Sequence, residues 1–347
     1  MSVPKTTKAW TIHGQNDFDS LKFNSAFPVP EISDYEVLVK FHAASLNYRD
    51  LIIPKGKYPF AQRDGVVPGS DGAGEVVAVG KKVTRFKVGA KVLTLFNQNH
   101  YGGSLNSQSV KSGLGGVIDG TLRQYGAFNE NGLVDMPPSL TYLEGATLTC
   151  AGLTAWNALY GLKQLKPGDV ILTQGTGGVS IFALQFAKAA GATVISTTSS
   201  AKKAAILKKL GADHVINYKE TPNWGEKARE LTPNGEGVDN IIEVGGPGTL
   251  RQSLKAIKID GLISIIGFLA SEGEEQPSFL EALAHICNVR GILVGSRDQF
   301  EDMNRAIEAN KIQPVVDEKV FTLEQAKEAY QHMWDQKHFG KLAIKID

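Results

Sequence analysis

The sequence predicts an α/β protein: a doubly wound parallel sheet accompanied by a separate β-rich domain. Three observations carry this expectation. From about residue 138 onward, apolar runs of strand length alternate with helical patterns, as in a parallel sheet covered on both faces. A glycine-rich turn, residues 175–178, joins one of these runs directly to a helix. The first third instead shows short strand-like runs separated by glycines, with almost no helical periodicity.

The elements follow in order. "YEVLVKFHAASL" alternates well enough for a half-buried strand, and "GAGEVVAVG" and "AKVLTLF" repeat the pattern at short spacing. Residues 97–126 form a polar, glycine-rich stretch whose length marks it as functional or poorly ordered. Pro137-Pro138 punctuates a domain boundary. Beyond it come "DVILTQG", a helix over 179–190, "TVISTT", a helix over 202–210 and "HVINY". A helical stretch near Glu226, "DNIIEVGG", a helix over 250–257, "LISIIGF" and "VRGILVG" complete six strands. A helix capped at Thr322 and a final strand close the chain. Right-handed crossovers put the ligand crevice of such a sheet at the strand C-termini.

At 347 residues the chain is long enough for two domains. A formal net charge of +1, without a basic or acidic block, argues against nucleic acid or an anionic membrane as partner. The N-terminal residues lack the apolar core of a secretory signal, and the longest apolar run, from Leu262, is too short to span a bilayer. Two cysteines, Cys150 and Cys287, suit a reducing compartment, so a cytoplasmic protein is expected.

The sharpest local signal is "VILTQGTGGVSIFALQFA". A buried strand runs into Gly175, Thr176, Gly177, Gly178 and Val179, and a helix begins at once. Gly175 allows the tight turn, and Gly177 lets backbone approach a pyrophosphate at the positive end of the helix. An NAD site usually places an acid about 20 residues on, against the ribose 2′-OH. No acidic residue occurs between Asp169 and Asp213; the second strand ends in Ser199 and Ser200, followed by Lys202 and Lys203. A 2′-phosphate wants donors and positive charge, so NADPH is the expected cofactor.

Together "PGSDGAGEVVAVG", "GLTAW", "LKPGDVILTQGTGGVS", "LGADHVINY" and "FGKLAIKI" resemble the medium-chain dehydrogenase/reductase superfamily along essentially the whole chain. The resemblance implies a GroES-like catalytic domain from residues 1–137 and 297–347, with a Rossmann NADP-binding domain over 138–296. It also implies a homodimer, often made through the last Rossmann strands, here "VRGILVG".

The zinc alcohol dehydrogenases of that superfamily take a Cys ligand from an early turn, where this chain has Asn47 in Leu46-Asn47-Tyr48-Arg49-Asp50. Their next ligands come from a "GHE" turn, here Gly69-Ser70-Asp71, and only Cys150 falls near a third ligand. Three such groups would hold Zn²⁺ poorly, and residues 97–126 lack the four Cys of a structural zinc lobe. His100 there is isolated and expected at the surface. No metal is therefore expected, and the sequence resembles the quinone oxidoreductase and enoyl reductase branches.

Without zinc, reduction of a quinone or of a C=C conjugated to a carbonyl is the least demanding hydride chemistry, because one or two donors can stabilise the distant oxygen. Asn47 and Tyr48 are the candidates for polarising the carbonyl or fixing the nicotinamide. Tyr58 matches a segment where enoyl-thioester reductases carry an acid-side tyrosine. Arg49 and Asp50 read as an ion pair holding the loop. The resemblance places Thr154 near the nicotinamide or phosphates and Tyr218 over the 2′-phosphoadenosine beside Lys203. Gly245, Gly267 and Phe268 end strands in the crevice, and Ser296, Arg297 and Lys341 are placed to close over the cofactor. The substrate expected is a small carbonyl compound or quinone. The alternatives are an alcohol or aldehyde dehydrogenase and a non-catalytic NADPH-binding protein.

Overall fold

The computed structural model describes residues 3–267 and 277–347; Phe268 lies outside them. The chain forms two compact units, residues 1–153 with 295–347, and residues 154–294. Residues 138–153 belong to the first unit because they are bonded into its sheet. Ser45 Oγ donates to Ala146 O at 3.1 Å, and Thr149 Oγ1 to Thr94 O at 2.9 Å.

The second unit is built on six parallel strands: β1 (Val170–Gln174), β2 (Thr193–Thr198), β3 (His214–Asn217), β4 (Val238–Glu243), β5 (Ile257–Ile265) and β6 (Asn288–Gly291). Their order across the sheet is 3-2-1-4-5-6, which reverses between β1 and β4 as in a dinucleotide-binding sheet. Every residue of β1 is buried, as expected of a central strand with helices on both faces. The helix Gly178–Ala189 turns Ile181, Phe182, Leu184 and Phe186 inward, and Trp156 packs edge-on against Phe186 at 5.4 Å.

The first unit carries a seven-stranded sheet drawn from both chain ends. Its central strand, Glu36–Ser45, pairs antiparallel with Asp71–Val79 on one side and with Ala343–Lys345 on the other. The register sets Ser45 opposite both Asp71 and Ala343. One end of this sheet thus gathers residues 45–50, 70–71 and 341, which are far apart in sequence. Of residues 97–126, the last two open the strand Tyr125–Asn129 and the rest are loops with the short helix Ser107–Val110; Asn97 and Gln98 are buried in them.

No helix among the described residues is long and apolar enough to cross a membrane.

Candidate active site

In the second unit, the glycine turn leads from β1 into Gly178–Ala189 with Gly177 as N-cap. Gly175 has φ +72°, a left-handed conformation that glycine adopts without strain. A Cβ built on Gly175 or Gly177 would meet nothing within 4 Å, so the backbone presents an open surface there. No side chain caps this helix, which leaves its first N–H groups to an anion. Thr176 is buried, and Gly178 and Val179 form the first turn of the helix. These features fit the pyrophosphate of a dinucleotide.

The residues expected at the adenosine end of the cofactor lie at the ends of β2 and β3. Asn217 pairs with Thr198, and Tyr218 N–H donates to Thr198 O at 3.0 Å, so Tyr218 comes beside Ser199. Ser200 caps the helix Ala201–Lys209 by accepting from Lys203 N–H. Ser199, Lys203 and Tyr218 therefore gather at neighbouring strand ends. Gly245 is engaged differently. Its N–H donates to Glu243 Oε1 at 3.0 Å, as does that of Gly246. Glu243 is fully buried, accepts from Gln174 Nε2 at 2.7 Å and is bonded by the Thr249 and Ser253 hydroxyls. A Cβ on Gly267 would press to 2.3 Å from Val244 O, which keeps that strand end a glycine. Thr154 is buried in the helix Leu153–Tyr160.

In the first unit, Lys341 Nζ donates to Leu46 O at 2.7 Å, to Asn47 Oδ1 at 2.6 Å and to Asp71 Oδ2 at 3.2 Å. Gly340, with φ +68°, makes the turn that delivers it, since a Cβ there would lie 2.4 Å from Val315 O. Asp71 also accepts from Ser45 Oγ at 2.9 Å and Ser70 Oγ at 2.7 Å. Asp50 Oδ2 accepts from Asn47 N–H at 2.8 Å, and its other oxygen pairs with Arg49 at 3.1 Å, both side chains buried. The Arg49 guanidinium lies 5.0 Å from the centroid of the Tyr58 ring. Tyr48 stacks on Trp334 with centroids 6.4 Å apart, and burial raises its phenol pKa. Asn47 and Lys341 thus share one cluster, which Asp50 and Arg49 link to Tyr58.

Ser296 and Arg297 open the helix Arg297–Asn310. The Ser296 hydroxyl is engaged as its cap, accepting from Gln299 N–H, and Arg297 reaches Asn131 Oδ1 at 2.9 Å. Sequence reasoning placed Asp71 only in the turn that matches a metal-ligand segment and missed Glu243, although an acid ending an apolar strand before Gly-Gly is a readable sign. His100, expected at the surface, is buried: its ring nitrogen lies 3.0 Å from Gly103 O, within a turn that folds back on itself.

The donor set does not fit a zinc ion. Both acceptors nearest its place, Asn47 Oδ1 and Asp71 Oδ2, already hold an ammonium cation, and Ser70 is a hydroxyl bound to Asp71. Cys150 lies in a π-helical turn, Leu148–Gly152. Burial first, and then the Asp71 carboxylate, push its thiol pKa up to about 12, so in this structure it is a neutral thiol. No group of three or more His, Cys, Asp or Glu among the described residues is arranged to hold a metal.

Comparison with known proteins agrees with this architecture. Residues 33–138 match the family model described as an alcohol dehydrogenase GroES-like domain, and residues 178–309 the one described as a zinc-binding dehydrogenase. A zinc-type alcohol dehydrogenase-like protein of Schizosaccharomyces pombe is 49% identical over 97% of this chain and 99% of its own length. An NADPH-dependent alkenal/one oxidoreductase of Arabidopsis thaliana is 28% identical over 99% of this chain and 80% of its own. A crystal structure assigned as an alcohol dehydrogenase from Sinorhizobium meliloti 1021 superposes with TM-score 0.90 at 38% identity, covering 99% of this chain and 100% of that one. An NAD-dependent alcohol dehydrogenase superposes with TM-score 0.88 at 30% identity, covering 98% and 100%. The glycine cradle, the 3-2-1-4-5-6 sheet and these full-length matches give one conclusion: the chain is an oxidoreductase belonging to the medium-chain dehydrogenase/reductase superfamily.

Proposed function

We propose that the protein is a zinc-independent, NADPH-dependent reductase of quinones or α,β-unsaturated carbonyls. The observation that carries this reading is the Lys341 ammonium bonded to Asn47 and Asp71, where the superfamily's metal enzymes have their ligands. Alcohol oxidation relies on a Lewis acid to stabilise the alkoxide. Conjugate reduction needs only donors at a distant oxygen, and this cluster offers amide and phenol donors. The relative described as an NADPH-dependent alkenal/one oxidoreductase supports the same chemistry.

When bound, NADPH supplies the hydride. Its pyrophosphate would be held by the turn Gly175–Val179 and its 2′-phosphate by Ser199, Lys203 and Tyr218, which present donors and positive charge without an acid. Asn47 donates to the substrate oxygen. Tyr58, whose ring lies against the Arg49 guanidinium, is the proton donor to the carbon left anionic after hydride addition.

A second reading, oxidation of an alcohol with NAD(P)⁺, is favoured by relatives that carry the alcohol dehydrogenase name. The deciding experiment follows NADPH oxidation over quinones, enones, enoyl thioesters and aldehydes, and NAD(P)⁺ reduction over alcohols, with and without chelator. Chelator-insensitive turnover of enones or quinones is expected. Stoichiometric zinc with alcohol turnover would sink the proposal, and tight NADPH binding with no turnover would support a non-catalytic binder. The same reading includes a cytoplasmic homodimer with no nucleic acid or membrane partner, in keeping with two free cysteines and a net charge of +1.

A further inference from the structure

An ammonium group has three N–H donors and no acceptor. At Lys341, which is 3% exposed, all three are taken by Leu46 O, Asn47 Oδ1 and Asp71 Oδ2. It therefore keeps no proton for a substrate or a dinucleotide phosphate, and Asp71 balances its charge on the spot. What it does control is the Asn47 amide. A group that can only donate must face the amide oxygen, which turns the NH₂ end the other way. That NH₂ finds no acceptor among the described residues, and Asn47 lies just beneath the surface, 8% exposed. Buried donors left unpaired are rare in native folds, and one placed at a candidate active site points to an incoming oxygen.

We propose that Lys341 is the resident cation of this site. It holds Asn47 and Asp71 as a metal ion would hold its ligands, and it aims the Asn47 NH₂ at the substrate's carbonyl oxygen. The part concerning the substrate rests on the reductase reading; the part concerning the cation does not. Lys341 is a positioning residue, acting through Asn47. In conjugate reduction, hydride adds to the β-carbon, the C=C pair shifts to give an enolate oxygen, and a proton then reaches the α-carbon. The Asn47 N–H bond is not broken; its hydrogen bond strengthens as charge builds on the oxygen.

Asn47→Asp separates the two roles. A carboxylate still accepts from the ammonium but has no N–H to offer. We expect its melting temperature and NADPH affinity to stay near wild type and KM to change little, while kcat on the best enone falls about 100-fold. Wild-type kcat in this variant overturns the donor assignment. Lys341→Ala tests the cation without turnover, because it leaves a cavity large enough for a small alkylammonium ion and lined by the same acceptors. Methylammonium chloride should raise the melting temperature of this variant above that in equal sodium chloride and leave wild type unmoved. If the variant does not fold unaided, its refolding yield with and without methylammonium reads the same occupancy. No methylammonium-specific gain, or an equal gain in wild type, overturns the resident-cation assignment. A wild-type enzyme inactive on every enone and quinone would instead sink the reductase reading and leave the methylammonium result standing.

Discussion

Cys150 sits among charged neighbours, yet its thiol is held protonated, with a pKa pushed up to about 12 by burial and by Asp71. A free thiol of pKa about 8.5 is roughly one-quarter thiolate at pH 8, whereas Cys150 is about one part in ten thousand. The higher basicity of the rare thiolate recovers some of that loss. We expect iodoacetamide at pH 8 to alkylate Cys150 roughly 100-fold more slowly than a small free thiol, followed by peptide mass spectrometry. Alkylation at the free-thiol rate would mean that the thiol is open to water and able to serve as a metal ligand. Glu243 is the opposite case, a buried acceptor surrounded by donors. The Gly245 and Gly246 N–H groups, Gln174 Nε2 and two hydroxyls all point at its carboxylate. Glu243→Gln would bring an NH₂ against these donors. We expect a loss of about 2–4 kcal/mol in urea unfolding. A loss below the error of the measurement would show that the network rearranges freely.

At the scale of elements, the outcome follows the range of the interactions. The six strands of the parallel sheet and their helices were legible because burial periodicity is local, and β1 opens on the apolar run Val170-Ile171-Leu172. The glycine turn was legible because its chemistry lies in consecutive residues. The Lys341 cluster was not, because it forms by register: Ser45 must meet Asp71 and Ala343 before Lys341 can reach an Asp 270 positions away. The Arg49–Asp50 pair was readable from adjacency, whereas the contact of Arg49 with the Tyr58 ring depends on how the intervening loop turns. Two tests belong to this scale. Lys203→Ala should raise the KM for NADPH about tenfold and leave that for NADH unchanged, the value of one charge-assisted phosphate contact. Equal effects on both cofactors would remove the 2′-phosphate role. Asp213, by contrast, ties β2 to its neighbours, accepting from Val194 N–H at 2.7 Å and Lys188 Nζ at 2.8 Å. Burial alone would raise its pKa, but Lys188 and the Val194 N–H outweigh it and hold the carboxyl below its usual range. A depressed folded-state pKa stabilises above the unfolded value of about 3.9 and is lost as pH falls through the folded one. We expect Asp213→Asn to cost about 0.5–1 kcal/mol at pH 7, screened because the pair is partly exposed, with the difference from wild type shrinking as pH falls below the unfolded value of about 3.9. A cost that persists unchanged at pH 2.5 would assign it to packing.

At the scale of the whole molecule, the second unit leaves one sheet edge unfinished. β6 pairs with β5 on one side, and no strand among the described residues pairs with the other. Beside it in sequence, Phe279, Leu280, Leu283, Ile286 and Val289 are all exposed. An open strand edge invites pairing with another chain, and soluble proteins usually cover or charge such edges. Exposed apolar residues grouped in this way mark interaction sites rather than ordinary surface. A second copy of the chain, brought in by a two-fold axis at β6, would satisfy both needs at once: the two edge strands would pair antiparallel, and the apolar residues of each protomer would be covered. Each protomer has a mass of 37.4 kDa, so sedimentation at micromolar concentration should give about twice that value. Leu283→Glu combined with Val289→Lys places charges in the proposed contact and should yield monomers. Because neither residue lies in the glycine turn or among Ser199, Lys203 and Tyr218, NADPH affinity should persist in those monomers. A wild-type protein that sediments as a monomer, or a double variant that stays dimeric, would locate the partner surface elsewhere.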